Sequence, residues 1–368
     1  MTITNTHLSE EQSQELVLLI KEEAKKLGFQ QIGITDTDLS EHINVYQNWL
    51  DNNYHADLDY MDKHGAKRWT AEQLIPGTLR VLSVRMDYMS DPESPLELLT
   101  QSDKAYISRY SLGRDYHKLI RSRLKKLIQF IQETAQSFEF RAFVDSAPIL
   151  ERAFAQKSGL GWFGKNTMII NKKAGSWFFL GEIFTDLPLP LDTPHEGEHC
   201  GRCTACLDIC PTQAFVGPHV LDSRRCISYL TIELKGSIPE ELRSKMGNRI
   251  FGCDDCQLIC PWNRFSKHSS EDDFSPRHQL NDSSLVELFN WDEETFLSKT
   301  EGSAIRRAGY ESWLRNIAIA LGNANTTDAI IQTLKSKLDY PSSIVQEHIQ
   351  WALKQHELKQ GQNKKAFT

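Results

Sequence analysis

The eight cysteines of this chain are confined to residues 200–260, and the other residues contain none. The first four form the run Cys200-x2-Cys203-x2-Cys206-x3-Cys210-Pro211. Bacterial ferredoxins bind [4Fe-4S] clusters with this run, and its fourth cysteine serves a second cluster. Structural disulfides would not be gathered into one segment at this spacing. The spacing therefore predicts two [4Fe-4S] clusters.

The remaining cysteines are expected to complete the two sets of ligands. A second run, Cys253-x2-Cys256-x3-Cys260-Pro261, lacks a leading cysteine because Ile250 stands there, and Cys226 is left over to replace it. Zinc, the alternative metal, favours separated Cys-x2-Cys pairs, whereas both runs here end in Cys-x3-Cys-Pro. The predicted ligands are Cys200, Cys203, Cys206 and Cys260 for one cluster, and Cys210, Cys226, Cys253 and Cys256 for the other.

Length and composition indicate a globular protein of two or three domains. The chain has 368 residues, of which 40% are hydrophobic and 25% charged, and its formal net charge is -7. No apolar run approaches the roughly 20 residues of a membrane span, and residues 1–10 are too polar for a signal-peptide core. We therefore expect a cytoplasmic protein that does not bind membranes, and a monomer.

Hydrophobic periodicity predicts an α+β fold in three parts, residues 1–186, 187–282 and 283–368. The first part is an α/β or α+β domain, the second holds the cysteines, and the third is helical. Helix pairs of about 40 residues in the third part resemble a HEAT-type repeat. In the first part, helices are predicted over residues 9–27, 115–136 and 149–158, and strands over 31–35, 81–86, 140–145, 168–171 and 177–185.

The glycines Gly159, Gly161 and Gly164 spell G-x-G-x-x-G. A dinucleotide site would need a strand before this motif and a helix after it. Here the predicted helix comes first and the strand follows, so no NAD site is expected. Two interpretations stay open: a tight helix-to-strand connection, and close approach of the backbone to a large flat cofactor.

Asp145 is the most informative acid in the first part of the chain. It follows an apolar strand and precedes a predicted helix, so it is placed either for catalysis or as a helix N-cap. From its position alone, the cap is slightly favoured. Arg68 on a polar loop is expected to be a surface residue, and His117 is expected to be a helix-face residue rather than a ligand.

The C-terminal part has a basic excess. Residues 301–368 contain nine Lys/Arg and six Asp/Glu, a net charge of +3, which leaves -10 for the rest of the chain. Arg306, Arg307 and Arg315 can form a stripe that binds phosphates. A solvated helical face is the more common origin of such a pattern.

Four long segments resemble the epoxyqueuosine reductase family. They are Arg225-Cys-Ile-Ser-Tyr-Leu-Thr-Ile-Glu-Leu-Lys-Gly236, Gly247-Asn-Arg-Ile-Phe-Gly-Cys-Asp-Asp-Cys-Gln-Leu-Ile-Cys-Pro-Trp-Asn-Arg264, Tyr106-Ile-Ser-Arg-Tyr-Ser-Leu-Gly-Arg-Asp-Tyr-His117 and Gly161-Trp-Phe-Gly-Lys-Asn-Thr-Met168. The resemblance extends from about residue 10 to residue 355. It implies an enzyme related to reductive dehalogenases, with an N-terminal cobalamin-binding domain, a ferredoxin domain and helical repeats.

The resemblance also implies roles for individual residues. Val144-Asp145 with Arg152-Ala153 matches the stretch that carries the proton donor of the family, so the catalytic interpretation of Asp145 now outranks the cap. Arg68 matches an arginine that contacts cobalamin, and the backbone near Ile169 and Leu180 is expected to line the corrin. Lys235 lies in a stretch that meets tRNA. Some members carry a cysteine in place of Ser108, so no thiol is essential there in this chain.

The activity implied is reduction of epoxyqueuosine to queuosine at the wobble position of tRNA. In it, cob(I)alamin receives electrons through the two clusters from an external flavodoxin or ferredoxin. An electron-transfer protein without chemistry of its own is one alternative, but it would not need the large N-terminal domain. A small-molecule dehalogenase is another, and the helical repeats and the lack of a Tat signal count against it.

Overall fold

The computed structural model describes residues 8–90, 95–135 and 137–366, with backbone alone at 363–366. In its N-terminal half, helices alternate irregularly with strands. The helices are α1 (Glu10–Lys26), α2 (Ser40–Asp51), α3 (Asp59–Asp62), α4 (Ala71–Leu74), α5 (Pro95–Thr100), α6 (Tyr116–Thr134) and α7 (Glu151–Lys157). The strands are β1 (Gln31–Thr35), β2 (Arg80–Asp87), β3 (Tyr106–Ile107), β4 (Phe140–Phe143), β5 (Trp162–Phe163), β6 (Ile169–Ile170) and β7 (Phe178–Thr185).

The longer helices begin where their caps predict. Ser9 and Gln12 form the expected capping box before α1, and Asp115 accepts a hydrogen bond from the backbone N–H of His117 at the start of α6. A cap of this kind satisfies N–H groups that have no partner inside the helix. Gly28 follows α1 with a φ of +86°, a left-handed conformation that glycine adopts without strain.

Four strands form the central sheet in the order β1-β2-β7-β4, and every neighbouring pair is antiparallel. One face packs on α1 and α6 through residues such as Ile183, and the other packs on α7 through residues such as Phe184. The prediction of an α+β fold for the chain is confirmed. Because this sheet is antiparallel, the N-terminal part is α+β, one of the two classes predicted for it.

Two strands that follow each other in the sequence have different partners. The strands predicted over residues 168–171 and 177–185 are successive in sequence, but they do not pair with each other. Instead, β6 pairs with β5, and β7 enters the central sheet between β2 and β4. Periodicity locates strands, but the partner of a strand depends on distant segments.

The cysteine segment and the C-terminal region complete the chain. The segment contains α8 (Ala205–Asp208), β8 (Phe215–Gly217), β9 (Val220–Leu221), α9 (Ile227–Ile232), α10 (Glu240–Arg243), β10 (Arg249–Phe251) and α11 (Asp255–Leu258). The C-terminal helices are α12 (Leu285–Asn290), α13 (Glu293–Lys299), α14 (Tyr310–Asn323), α15 (Asp328–Lys335) and α16 (Ser343–Ala366). A 3-10 turn, Ala304–Ala308, holds the residues predicted to begin a helix at 305.

The hydrophobic cores cross the predicted domain boundaries. One core joins residues of 105–112 to the cysteine segment and to the C-terminal helices, from Ala105 to Ala352. The pairing of β3 with β10 makes the same connection. Boundaries at 186 and 282 stay predictions, and the described segments on either side of 282 share one core. In the described part of the chain, no helix combines the length and apolar character needed to cross a membrane.

Candidate active site

Asp145 lies on a loop just beyond β4, with a φ of +46°. The cap interpretation is wrong, because the N-cap of α7 is Leu150 and no side chain caps that helix. The carboxyl group of Asp145 turns instead towards the start of α6. Its side chain is 52% exposed, so it is open to a ligand.

Three side chains from two loops form a hydrogen-bonded row with His117 in its centre. His117 Nε2 lies 2.9 Å from Asp145 Oδ2, and His117 Nδ1 lies 2.6 Å from Asp115 Oδ1. The hydroxyl of Tyr116 donates to Asp145 Oδ2 at 2.8 Å. His117 belongs to α6, as predicted, and it is only 8% exposed. An imidazole between two carboxylates can pass a proton from one to the other.

The electrostatics of this row favour a proton on the imidazole. Burial acts to lower the pKa of His117, but hydrogen bonds to Asp115 and Asp145 outweigh it and raise the pKa. Burial acts to raise the pKa of Asp145, but hydrogen bonds from His117 and Tyr116 outweigh it and lower the pKa. The same balance lowers the pKa of Asp115 to about 2. These shifts all favour the charged forms, an imidazolium between two carboxylates.

Arg307 from the C-terminal region reaches the same row. Its Nη2 lies 2.8 Å from His117 Nδ1 and 3.3 Å from Asp115 Oδ2, and its side chain is 51% exposed. Sequence reasoning placed Arg307 on a stripe remote from Asp145. The fold instead places Arg307 at the rim of the Asp145 site. Its neighbour Arg306 is also exposed.

Arg68 lies on the opposite rim. It is buried, and its guanidinium donates to the backbone carbonyls of Met61 (2.8 Å) and Tyr60. The Tyr60 ring beside it is 49% exposed. Burial, followed by the charges of Glu233 and Asp145, raises the pKa of Tyr60 to about 12, so this ring lies near Asp145 as well as near Arg68. A surface arginine was the default expectation from sequence, and it is wrong.

Leu180 and Ile169 belong to one small apolar cluster. Leu180 is the one residue of β7 that is not fully buried, and it packs against the small apolar cluster that contains Ile169. The central sheet is thus open to a ligand at this point. An apolar floor at Leu180, the exposed face of Tyr60 and an exposed carboxyl at Asp145 fit a flat, largely apolar ring such as a corrin.

The glycine motif has a local explanation. Gly159 ends α7 with a φ of +78°, and a Cβ there would lie 2.6 Å from the carbonyl oxygen of Thr193. A Cβ at Gly161 would lie 2.2 Å from the carbonyl oxygen of Ile170, and one at Gly164 would lie 2.4 Å from its Cδ1. These glycines approach their own chain, so the interpretation as a tight helix-to-strand connection explains them. The cofactor interpretation of this motif is not supported.

Two basic residues predicted to meet RNA have different environments. Lys235 is exposed, and its Nζ donates to the carbonyl oxygen of Ala308 at 3.2 Å, next to Arg307. Arg315 is 0% exposed and cannot contact RNA, which makes that expectation wrong. Its guanidinium donates to the carbonyls of Leu230 (2.8 Å), Leu234 (2.7 Å) and Gly236 (2.8 Å), so it supports the Lys235 loop from inside.

Cys200, Cys203, Cys206 and Cys260 line one small cavity, and the division of the eight thiols into crossed ligand sets stays a prediction. Burial, followed by the charges of Cys260, Cys200 and Cys203, raises the pKa of Cys206 to about 11. Burial, followed by charges that include those of Cys226, Cys206 and Cys210, raises the pKa of Cys256 well above its usual value. Cys203 is exposed, whereas Cys226 and Cys253 pack against the large core. The first set thus lies towards solvent and the second towards the interior.

Ser108 is also a structural residue. It is 2% exposed, and its hydroxyl donates to Asp254 Oδ1 at 2.5 Å. The same carboxylate accepts hydrogen bonds from the Tyr106 hydroxyl (2.9 Å) and the Arg109 backbone (2.8 Å). This network fixes the turn before Cys256, so the position supports the second group of thiols.

The cysteines have ferredoxin-type spacing, and the row of Asp115, His117 and Asp145 lies in the same structure. Together these features define the class of the protein as an iron–sulfur oxidoreductase. The comparison with known families agrees. Residues 199–263 match the 4Fe-4S double cluster binding domain, and residues 68–146 match the family described as Epoxyqueuosine reductase QueG, DUF1730.

Individual relatives extend this match over almost the whole chain. The epoxyqueuosine reductase of Pseudomonas aeruginosa is 57% identical over 350 residues, covering 95% of this chain and 97% of the relative. A crystal structure of epoxyqueuosine reductase with an epoxyqueuosine-modified tRNA-Tyr stem loop is 26% identical, with a TM-score of 0.80 over 94% of this chain and 100% of that one. A Bacillus subtilis epoxyqueuosine reductase, with its catalytic aspartate loop swung out of the active site, is 28% identical, with a TM-score of 0.82 over 94% and 91%. The chain belongs to the epoxyqueuosine reductase family.

Proposed function

We propose that this chain reduces epoxyqueuosine to queuosine in tRNA in the cleft between Asp145, Arg68 and Arg307. The observation that carries the assignment of the site is the row of Asp115, His117 and Asp145, which presents an exposed carboxyl group backed by a protonated imidazole. The family and its activity rest on relatives that match over nearly the full chain.

Two [4Fe-4S] clusters and cobalamin are the cofactors of this activity. When bound, they supply the two electrons that an epoxide needs to lose its oxygen. The eight cysteines hold the clusters. Leu180, Ile169, Arg68 and Tyr60 are the residues that would hold cobalamin near Asp145, and there the group would supply the reducing electrons.

The protein supplies the protons. Removal of the epoxide oxygen as water takes up two protons together with the two electrons. Asp145 is the group that reaches the substrate, and His117 is the group that holds a proton at rest. We infer that Asp145 donates to the leaving oxygen while His117 reprotonates it. Tyr116 and Asp115 orient the carboxyl group and the ring. A positioned acid of this kind contributes about 10²–10⁴-fold.

Electrons are proposed to enter at the outer set of thiols. Cys203 of this set is exposed, so an external flavodoxin or ferredoxin can approach it. The inner set is placed towards the cleft because of Tyr110. Burial raises the pKa of this tyrosine, and the charges of Asp145 and of Asp254, next to Cys253, raise it further, so Tyr110 lies near both. The order of transfer is then donor, outer cluster, inner cluster and active site. We place the protein in the cytoplasm, as a monomer, with its tRNA substrate.

The RNA is proposed to approach over the rim formed by Lys235, Arg306 and Arg307. These three residues are exposed and lie on neighbouring segments beside the cleft. The wobble base belongs to a single-stranded loop, so it can enter a pocket at modest cost. The helices α12 to α16 support this rim, and their classification as a HEAT-like repeat stays a prediction.

Analysis of the wobble nucleoside tests this function. In a strain that lacks the gene, the tRNA should contain epoxyqueuosine, and the wild-type gene should restore queuosine. Asp145→Asn should restore almost none, although the purified variant should keep the iron and sulfide content of the wild type. Queuosine at wild-type levels with Asp145→Asn would contradict the role of Asp145. Queuosine in the strain without the gene would contradict the function itself.

A further inference from the structure

Two carboxyl groups lie beneath the Asp145 loop and take no part in the chemistry described so far. Glu182 is in β7 and is 0% exposed, and in the described residues neither of its carboxyl oxygens has a hydrogen-bond donor. Its neighbours across the sheet are Ser83 and Phe143. A buried carboxylate without a partner is costly, so this group is far more stable with a proton.

Glu151, at the start of α7, faces Glu182. Burial, followed by the charge of Glu151 and a hydrogen bond with it, raises the pKa of Glu182 well above its usual value. Burial, followed by the charge of Asp145, raises the pKa of Glu151 to about 8. Two carboxyl groups can bond to each other only through a proton. Carboxyl groups in such contact titrate as a unit, and the burial of Glu182 without a donor favours the state in which the pair keeps one proton.

Glu151 also holds the Asp145 loop. Its Oε1 accepts a hydrogen bond from the backbone N–H of Asp145. Asp145 has a φ of +46°, a conformation that residues with side chains seldom adopt. In that conformation its carboxyl group meets His117 and Tyr116. The hydrogen bond to Glu151 thus offsets part of the conformational cost at this residue.

We propose that Glu151 and Glu182 share one proton and form a latch that holds the Asp145 loop in its working conformation. Only the expected effect of this latch on turnover rests on the proposed function. The charged groups that face the pair are Asp145 and Arg152, and Arg152 Nη1 is held by the carbonyl of Thr167 at 2.5 Å. With one proton, the pair carries one negative charge and keeps the Asp145 N–H. Without it, two buried charges repel, and Glu151 releases the loop.

Hydrogen–deuterium exchange tests the latch without any cofactor or substrate chemistry. The protection factor of the peptide covering residues 144–150 is measured at pH 7 and pH 9, with intrinsic rates divided out. We expect wild-type protection to fall about tenfold at pH 9, and Glu182→Gln, which cannot ionise, to keep its protection. Glu133→Gln, an exposed residue on α6, is the matched control and should behave as the wild type. Equal loss of protection in wild type and Glu182→Gln overturns the proposal, as does a wild type whose protection is unchanged.

Kinetics of the cofactor-loaded enzyme give a second test. Glu151→Ala removes the acceptor, so kcat should fall about 10-fold to 100-fold while KM for tRNA stays within twofold. Glu151→Gln keeps an oxygen acceptor and should recover most of kcat. If Glu151→Ala keeps wild-type kcat, or if Glu151→Gln is as impaired as the alanine variant, Glu151 is not a latch. A failure of the exchange test contradicts the latch alone, whereas a wild type without reductase activity contradicts the proposed function.

Discussion

At the scale of single residues, the position of one proton decides how the site works. Asp145 is the group proposed to touch the substrate, yet its pKa is lowered by the hydrogen bonds it accepts, and the pKa of His117 is raised by the hydrogen bonds it makes. An ionised Asp145 can donate only after it receives a proton. His117 is therefore as necessary for turnover as Asp145, although it does not reach the substrate.

The pH dependence of turnover tests this relay. His117 has a raised pKa, so its proton is present below that pKa and is lost as the pH increases through it. We expect kcat to fall on the alkaline side. Asp115→Asn removes the charge that helps to hold this proton, and asparagine still caps α6. The alkaline limb of kcat should move to lower pH in this variant. If the limb stays in place while kcat falls uniformly, Asp115 only orients the ring.

At the scale of the elements, the short helix α9 lies between a predicted cluster ligand and the basic rim. Cys226 precedes α9, and burial raises the pKa of its thiol, although the backbone N–H groups of Tyr229 and Ser228 act to lower it. The loop after α9 carries Lys235 and is bonded from below by Arg315 on α14. The ligand of the inner cluster and the rim of the RNA site thus depend on one small segment, residues 226–236.

The crossed ligand sets are tested at Cys226. Anaerobically prepared wild-type protein should contain about eight irons and eight sulfides per chain. Cys226→Ala removes a ligand of the inner cluster alone, so about half of the iron should be lost and the spectrum of one cluster should remain. Cys203→Ala is the matched variant for the outer cluster. Loss of all iron in Cys226→Ala, with normal folding, would contradict the division into two sets.

The stability of a protein variant at Arg315 tests the structural role of this residue. Arg315→Ala leaves the buried carbonyls of Leu230, Leu234 and Gly236 without a donor, and we expect it to lower the free energy of unfolding by about 3 kcal/mol. Arg306→Ala, at an exposed position nearby, should change it by less than about 0.5 kcal/mol. Urea unfolding followed by circular dichroism measures both. A stability loss in Arg315→Ala no larger than that in Arg306→Ala would contradict a structural role.

At the scale of the whole molecule, the C-terminal region contributes to the active site as well as to its surroundings. Arg307 bonds to the row that starts α6, and the large core joins residues from Ala105 to Ala352. Two basic residues of this region, Arg306 and Arg307, thus lie beside the cleft, whereas Arg315 is buried. An acidic molecule with such a rim steers RNA to one side.

Arg306 and Arg307 should respond differently to substitution. Arg306→Ala should raise KM for tRNA and reduce its salt dependence by roughly one unit of slope, with kcat unchanged. Arg307→Ala should affect both KM and kcat, because its guanidinium also contacts His117 and Asp115. Measurements of kcat and KM at several salt concentrations separate the two. Identical behaviour of the two variants would contradict the placement of Arg307 in the active site.

The sequence by itself determined the two clusters, because ligand spacing along a short segment reflects local chain geometry. It also determined most helices and strands, and its long family segments indicated the activity and Asp145. Only the tertiary structure decided which residues meet. Asp115, Tyr116 and His117 reach Asp145 because α6 begins beside the end of β4, and Glu182 meets Glu151 because α7 crosses β7. Arg315 and Arg307 have the same sequence character, yet one is buried and the other lines the cleft, because burial depends on contacts between segments far apart in the chain.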